Sequence, residues 1–351
     1  MLWRRPAPVR SLLVSNCHRY SSAVTKTAEP LRILFCGSDE FSIASLRALS
    51  KARRDVPELI ESIDIVHRPA KPTGRGGKRL RPVPIQEVAK EELRLNTHAI
   101  DTFTGWTPPV PIHLVIAVSF GLFVPPRILN LARYGGLNVH PSLLPDLRGP
   151  APIHHALLKE RPSTGVSIQT LHPKHFDRGT ILAQTPPPGI QLMPGTTTAE
   201  LTETLANQGA GMLVDVLKSG AFVPPLEDVG WYSSSDRPIH HAEKITKKHR
   251  EIDFNKDALH DILKVHRVIG APYCLLPNGA RLILDTIADQ EDTISAPSKV
   301  SFMAEDGTGS IIVRLGNGEA LRIDRSTYEG GKTGQGNARL IRLINNKLLE
   351  I

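Results

Sequence analysis

The chain has 351 residues, 40% of them hydrophobic and 22% charged, which excludes a disordered polymer and leaves length enough for two domains. Its formal net charge is +8, and residues 1–30 carry five cations (Arg4, Arg5, Arg10, Arg19, Lys26) against Glu29 alone. Three scattered cysteines, Cys17, Cys36 and Cys274, offer neither a disulfide framework nor a zinc spacing, and no apolar run reaches transmembrane length.

The Arg- and Ser-rich opening, nearly free of acid, has the composition of an organellar transit peptide. Residues 1–30 are therefore expected to direct the protein to a mitochondrion or a plastid, the plain alternative being a disordered basic tail. LRILFCG (31–37) is a short apolar run closed by glycine, and SDEFSIASLRALSKA follows at helical spacing, with Ser38 or Asp39 placed to cap it. ESIDIVHR (61–68) reads as a second strand, and HLVIAVSFG (113–121), apolar almost throughout, as a buried parallel one. YGGLNVH, a helical APIHHALLK and the strand TGVSIQTLH (164–172) continue the alternation. This order predicts an α/β fold, a doubly wound and mostly parallel Rossmann-like sheet. Ligands in such sheets bind beyond the carboxyl ends of strands, so Phe120-Gly121, Asn138-Val139-His140 and the loop after His172 should converge.

Residues 196–220 form a capped amphipathic helix, and a proline-bearing linker (222–238) follows. Past about residue 250 the texture changes. DFNKDALHDILKVHRVIG reads as one helix, and short runs broken by Asn-Gly and Gly-Asn-Gly turns then predict a small, OB-like β-barrel. The expected organisation is a leader (1–30), an α/β domain (31–220), a linker (221–240) and the barrel (241–351).

Asn138 and His140 stand two apart, so on a strand end both point to one face, and Pro141 and Pro145 stop the strand from continuing. Asp177 lies in the PKHFDRGTIL loop just ahead of Gly179, whose missing side chain would let the backbone approach a ligand closely. An amide, an imidazole and a carboxylate suit direct acyl transfer. No GxSxG elbow is present to carry a covalent intermediate. Asn138 can donate to a developing oxyanion, His140 can donate likewise or take a proton, and Asp177 can fix its charge and orientation. By spacing alone, an asparagine at a turn is more often simply a turn residue. Between 67 and 81 stand six cations (Arg68, Lys71, Arg75, Lys78, Arg79, Arg81), no acid, three glycines and two prolines, which reads as a mobile basic loop able to clamp nucleic-acid phosphates. The plain alternative is solvated charge.

N-V-H-P-S-L-L-P followed by R-G and P-I, with D-x-G some thirty residues on, resembles the signature of the folate-dependent formyltransferases. RILFCGSDEFSIASLRAL, the GRGGKR loop, VIAVSFGLFVPPRIL, KITKKHREIDF and ALRIDRSTYEGGK narrow the resemblance to the branch acting on methionyl-tRNA. The resemblance implies formyl transfer from 10-formyltetrahydrofolate to the amine of initiator methionyl-tRNA, with Asn138, His140 and Asp177 as catalytic trio. It implies that Ser142, Leu143, Leu144 and Pro145 form the folate-binding element and that Phe120, Gly121 and Leu122 line the pterin pocket. Arg68, Lys71, Arg75, Lys78 and Arg79, with Lys247 and Lys248 of the second domain, would meet the tRNA. No metal is called for, because the folate carries an already activated formyl group. A monomer in the mitochondrial matrix, without a membrane partner, is expected. Lys174-His175-Phe176 and Phe120 depart from the residues usual in the family. Two other readings stand: a relative acting on a small molecule, with no use for the basic loop, and a catalytically silent tRNA-binding protein, with no use for the trio.

Overall fold

The structure is a computed structural model that describes residues 28–73, 79–290, 299–305, 307–346 and 348. The chain opens with β1 (Leu31–Gly37), α1 (Glu40–Asp55), β2 (Ile60–His67), β3 (Lys71–Thr73), β4 (Arg79–Arg81), α2 (Pro84–Glu87), β5 (Asn96–Ala99), β6 (Leu114–Val118) and α3 (Pro126–Leu129). It continues with β7 (Gly136–His140), α4 (Pro152–Leu158), β8 (Ser163–Thr164), β9 (Ser167–Thr170), β10 (Ile181–Gln184), β11 (Ile190–Gln191) and α5 (Thr198–Ser219). Seven of these strands form one sheet in the order β10-β9-β7-β6-β1-β2-β5. β1, β2, β5, β6 and β7 pair in parallel, as helical crossovers require.

Both faces of the sheet are covered, which is why β6 (LVIAV) is apolar at every position and β1 nearly so. Ile33 and Phe35 of β1 point to one side, where α1 and α5 supply Leu46, Leu49, Leu205 and Leu213. Leu34 and Cys36 point to the other, where Phe103, Phe120, Val124 and Ile128 close the layer. Each large side chain so buried contributes about 1.5–3 kcal/mol. The helix expected over 196–220 is α5. Thr197 and Glu200 cap it reciprocally, and Gly220 ends it in a left-handed conformation at φ 68°.

β9 corrects one expectation. It runs antiparallel to β7, with Asn138 opposite Gln169 and His140 opposite Ser167. Its carboxyl end therefore lies beside the start of β7, and Leu171 N–H donates to Gly136 O. The loop 171–180 reaches His140 only by doubling back over the sheet. Gly179 makes this reversal possible: a Cβ there would sit 1.7 Å from Thr170 O. The close approach that selects glycine is to this chain's own backbone, not to a ligand.

The second region holds α6 (Leu259–Ile269), β12 (Tyr273–Leu275), β13 (Arg281–Gln290), β14 (Ser301–Ala304), β15 (Ile311–Arg314), β16 (Ala320–Tyr328) and α7 (Gly336–Asn345). Its strands form a separate antiparallel sheet, β12-β13-β16-β15-β14, around a core of its own that includes Leu282, Leu284, Ile311, Val313 and Ile323. This is the smaller barrel-like unit expected from the turn signals. The helix expected from Asp253 begins only at Leu259, because Asp253 accepts from Asn255 N–H and starts a turn instead.

The two regions are joined tightly. Val268 of α6 belongs to the first core, Thr198 Oγ1 donates to Val268 O at 2.7 Å, and Lys264 Nζ bridges Glu160 and Asp261 at 3.1 and 2.8 Å. The linker is also fixed: Trp231 Nε1 donates to Thr185 O, and Tyr232 N–H to Gln184 Oε1. The basic stretch is a hairpin at its shoulders rather than a free loop, with Lys71 opposite Arg81 and Thr73 opposite Arg79. Arg75 and Lys78 lie outside the described residues, as does the leader up to residue 27.

Candidate active site

β7 delivers Asn138 and His140 to one face at its carboxyl end, as their spacing requires. The doubled-back loop lays Asp177 against them: His140 Nδ1 is 3.5 Å from Asp177 Oδ1. Asp177 sits at φ 53°, in the left-handed region, and so do Ser119 (45°) after β6 and Leu147 (55°) after β7. Such conformations cost about 1–3 kcal/mol each and collect at functional sites. Neighbouring bonds offset the strain at Asp177. Arg148 Nε donates to its carbonyl at 2.7 Å, and Gly149 N–H donates to its Oδ2 at 2.9 Å.

The direction of each hydrogen bond follows from groups that can only give or only receive. Asn138 Nδ2 donates to Ala117 O at 2.9 Å, so its Oδ1 faces the other way and accepts from Gln169 Nε2 at 3.0 Å. One N–H of Asn138 is thereby used and the other is left for a substrate. His140 Nε2 lies 3.1 Å from Leu147 O, and a carbonyl only accepts, so this nitrogen carries the proton. Nδ1, facing Asp177, is then the nitrogen available to take one. With the Nε2 proton already given to Leu147 O, of the two roles open to His140 in the sequence, proton uptake fits the geometry better than donation to an oxyanion. The ring is buried, with 5% of its surface exposed. Burial and the nearby Arg178 push the Arg148 guanidinium below its usual range, while Asp177 opposes them.

Gln169 was not among the residues singled out from the sequence. It is 1% exposed, and its Nε2 reaches both Asn138 Oδ1 and Asp177 Oδ1, the latter at 3.2 Å. The available signal was a glutamine at an inward position of a buried strand, a place where polar side chains need a partner. Arg148 was equally silent, because its contact with Asp177 depends on the returning loop.

The residues expected to hold the folate separate into two groups. Ser142, Leu143 and Leu144 are buried, with Ser142 Oγ donating to Asp146 O and Leu144 N–H to Ser167 Oγ. Their side chains build the turn that carries His140 rather than an open surface; Pro145 is half-buried beside them. Phe120 is also turned into the core, edge-on to Phe103. Gly121 is exposed, and Leu122 lines a cavity of about 190 Å³ with Thr102, Phe103, Thr104, Phe123, Pro125 and Arg127. Phe123 meets Phe176 edge-to-face at 5.2 Å, so the departure at Lys174-His175-Phe176 ties the loop of Asp177 to the loop after β6. His172 orders the same segment by accepting from Lys174 and His175 N–H groups.

Among the cations, Arg68 is paired with Asp101 at 3.4 Å and donates to its carbonyl, so it is not free charge. Lys71 is exposed at the root of the hairpin, and Arg79 lies on β4. Lys247 and Lys248 are exposed on a short 3₁₀ turn in the second region.

The formyl transferase family model matches residues 31–217, which end within α5. The mitochondrial methionyl-tRNA formyltransferase of Saccharomyces cerevisiae is 32% identical over 76% of this chain and 74% of its own length. The methionyl-tRNA formyltransferase of Bartonella henselae is 30% identical over 86% of this chain and 94% of its own. Among solved structures, the sugar 3N-formyltransferase WlaRD superposes with a TM-score of 0.54 at 12% identity, covering 87% of this chain and 100% of that one. At that identity the likeness concerns the fold alone. The match over the first sheet, together with similarity that runs on through the second region, shows that the chain belongs to the methionyl-tRNA formyltransferase family.

Proposed function

We propose that the protein transfers the formyl group of 10-formyltetrahydrofolate to the α-amino group of initiator methionyl-tRNA, in the mitochondrial matrix, with Asn138, His140 and Asp177 as its catalytic residues. The observation that carries this is the single network joining the three side chains at the end of β7. The donor brings an activated formyl group, so the protein has to supply orientation, a donor for the oxyanion and a path for one proton. The amine nitrogen bonds to the formyl carbon, the folate N10–carbon bond breaks, and the proton lost by the amine ends on N10. Asn138 serves the formyl oxygen with its remaining N–H. His140 Nδ1 takes up and releases the proton, and Asp177 at 3.5 Å gives the transient imidazolium a partner.

The cavity beside Leu122 is smaller than the roughly 300–1,000 Å³ of complete ligand pockets, which fits one ring system of the donor and leaves the rest outside. Phe123 lines it and meets Phe176 edge-to-face. For the acceptor, Lys71, Arg75, Lys78 and Arg79 belong to the basic stretch 67–81, and Lys247 and Lys248 would meet the tRNA body. Arg68 has the role of holding the hairpin's root through Asp101. The unit 31–220 would then be catalytic, 221–240 the connection, and 241–351 the tRNA-binding unit, acting as a monomer.

A small-molecule acceptor would not need the hairpin's charge. Replacing Arg75, Lys78 and Arg79 together by alanine should raise KM for methionyl-tRNA and flatten its salt dependence. The log–log slope should fall by roughly 0.7–0.9 for each phosphate no longer neutralised. KM for the donor should stay unchanged. Wild-type use of methionyl-tRNA by the triple variant at every salt concentration would favour the small-molecule acceptor.

A further inference from the structure

We infer that Gln169 is a positioning residue of the formyl transfer, fixing the Asn138 amide and the Asp177 carboxylate in one arrangement through a single amide nitrogen. The inference rests on the function proposed above. Gly179 N–H donates to Gln169 Oε1 at 3.1 Å, and this anchors the amide so that its nitrogen must face inward. The nitrogen has two hydrogens and two acceptors, Asn138 Oδ1 at 3.0 Å and Asp177 Oδ1 at 3.2 Å. Every hydrogen-bonding position on that side of the amide is therefore occupied. Asp177 Oδ1 is the oxygen that faces His140, and Asn138 is held on its far side by Ala117 O.

The polarity of the chain of bonds matters more than its shape. If Gln169 presented an acceptor, Asn138 would have to turn its own nitrogen towards it. Asn138 Oδ1 would then face Ala117 O, acceptor against acceptor, and the free N–H would be lost from its place. A residue that merely filled space at 169 would have no such effect. The same anchoring explains why the returning loop carries Asp177 at a fixed height over β7: Gly179, Gln169 and Thr170 bind its descending arm, and Arg148 and Gly149 its tip.

The test uses the full chain with Gln169→Met, which keeps length without a donor, and Gln169→Glu, which keeps shape and reverses one end of the polarity. Both should lower kcat by about 10–100-fold, the range expected for losing hydrogen bonds to a charged group and its partner, with KM for donor and acceptor within about threefold. Gln169→Glu should be the more damaging despite its closer shape. In a background of Asn138→Ala with Asp177→Asn, Gln169→Met should cost almost nothing further, since it acts through those two side chains. Equal, additive losses in both backgrounds, or a loss that follows melting temperature alone, would overturn the assignment. Side-chain amide resonances of Asn138 give a second reading without turnover: Gln169→Met should shift them strongly, and unchanged resonances would refute the hydrogen bond. A wild-type chain that formylates no methionyl-tRNA would speak against the function, while the resonances would still decide the role of Gln169.

Discussion

At the level of single residues, Asn138 has one spent and one available N–H, and Asp177 faces His140 Nδ1. Asn138→Ala should therefore lower kcat by roughly 10²–10³-fold with folding intact, the size of one lost oxyanion donor. Activity within about tenfold of wild type would remove Asn138 from the chemistry. Asp177→Asn should be at least as damaging, because it keeps the shape and removes the charge beside the imidazole. If this variant turned over normally, His140 would be working without its partner and the proton path would be wrong. Asn138 and His140 were legible because two residues apart on a strand is enough to place them on one face. Gln169 and Arg148 were not, because each meets the site only through an antiparallel neighbour and a loop that doubles back. Ser142, Leu143, Leu144 and Phe120 show the opposite case. Their side chains are buried in the turn after β7 and in the core, a placement their motif alone does not reveal.

Among the elements, runs of apolar residues revealed the central strands, and Thr197 with Gly220 revealed α5. The direction of β9 did not follow from its own residues, since a four-residue buried strand reads alike in either orientation. The hairpin shoulders β3 and β4 were hidden by prolines and glycines that suggest a loop. The element with the sharpest requirement is the turn at Gly179. A Cβ at this position would meet Thr170 O at 1.7 Å, so Gly179→Ala must move the strand-to-loop junction that also carries the bond to Gln169. We expect a loss of about 3 kcal/mol in stability, the upper part of the usual range for overpacking, together with a fall in kcat. Denaturant unfolding and steady-state rates measured on the same preparation check both. A variant as stable and active as wild type would show that the loop does not turn as described.

For the molecule as a whole, the composition shift near residue 250 announced a second unit. Its attachment was not visible in the sequence, because Val268 entering the first core and Lys264 reaching Glu160 depend on where α6 comes to rest. The leader makes a separate claim. Residues 1–30 fused to a fluorescent reporter should carry it into mitochondria, and a diffuse cytosolic signal would refute that role. The function proposed here stands or falls on one crevice, at the end of β7, moving a formyl group to the amine of methionyl-tRNA. The direct test is to incubate the full chain with labelled 10-formyltetrahydrofolate and either charged initiator tRNA or glycinamide ribonucleotide, and to follow label into each acceptor. Rapid formylation of methionyl-tRNA, abolished by Asp177→Asn, is expected, with none of the ribonucleotide labelled. Label entering the ribonucleotide instead, or entering methionyl-tRNA equally well with Asp177→Asn, would refute the proposal.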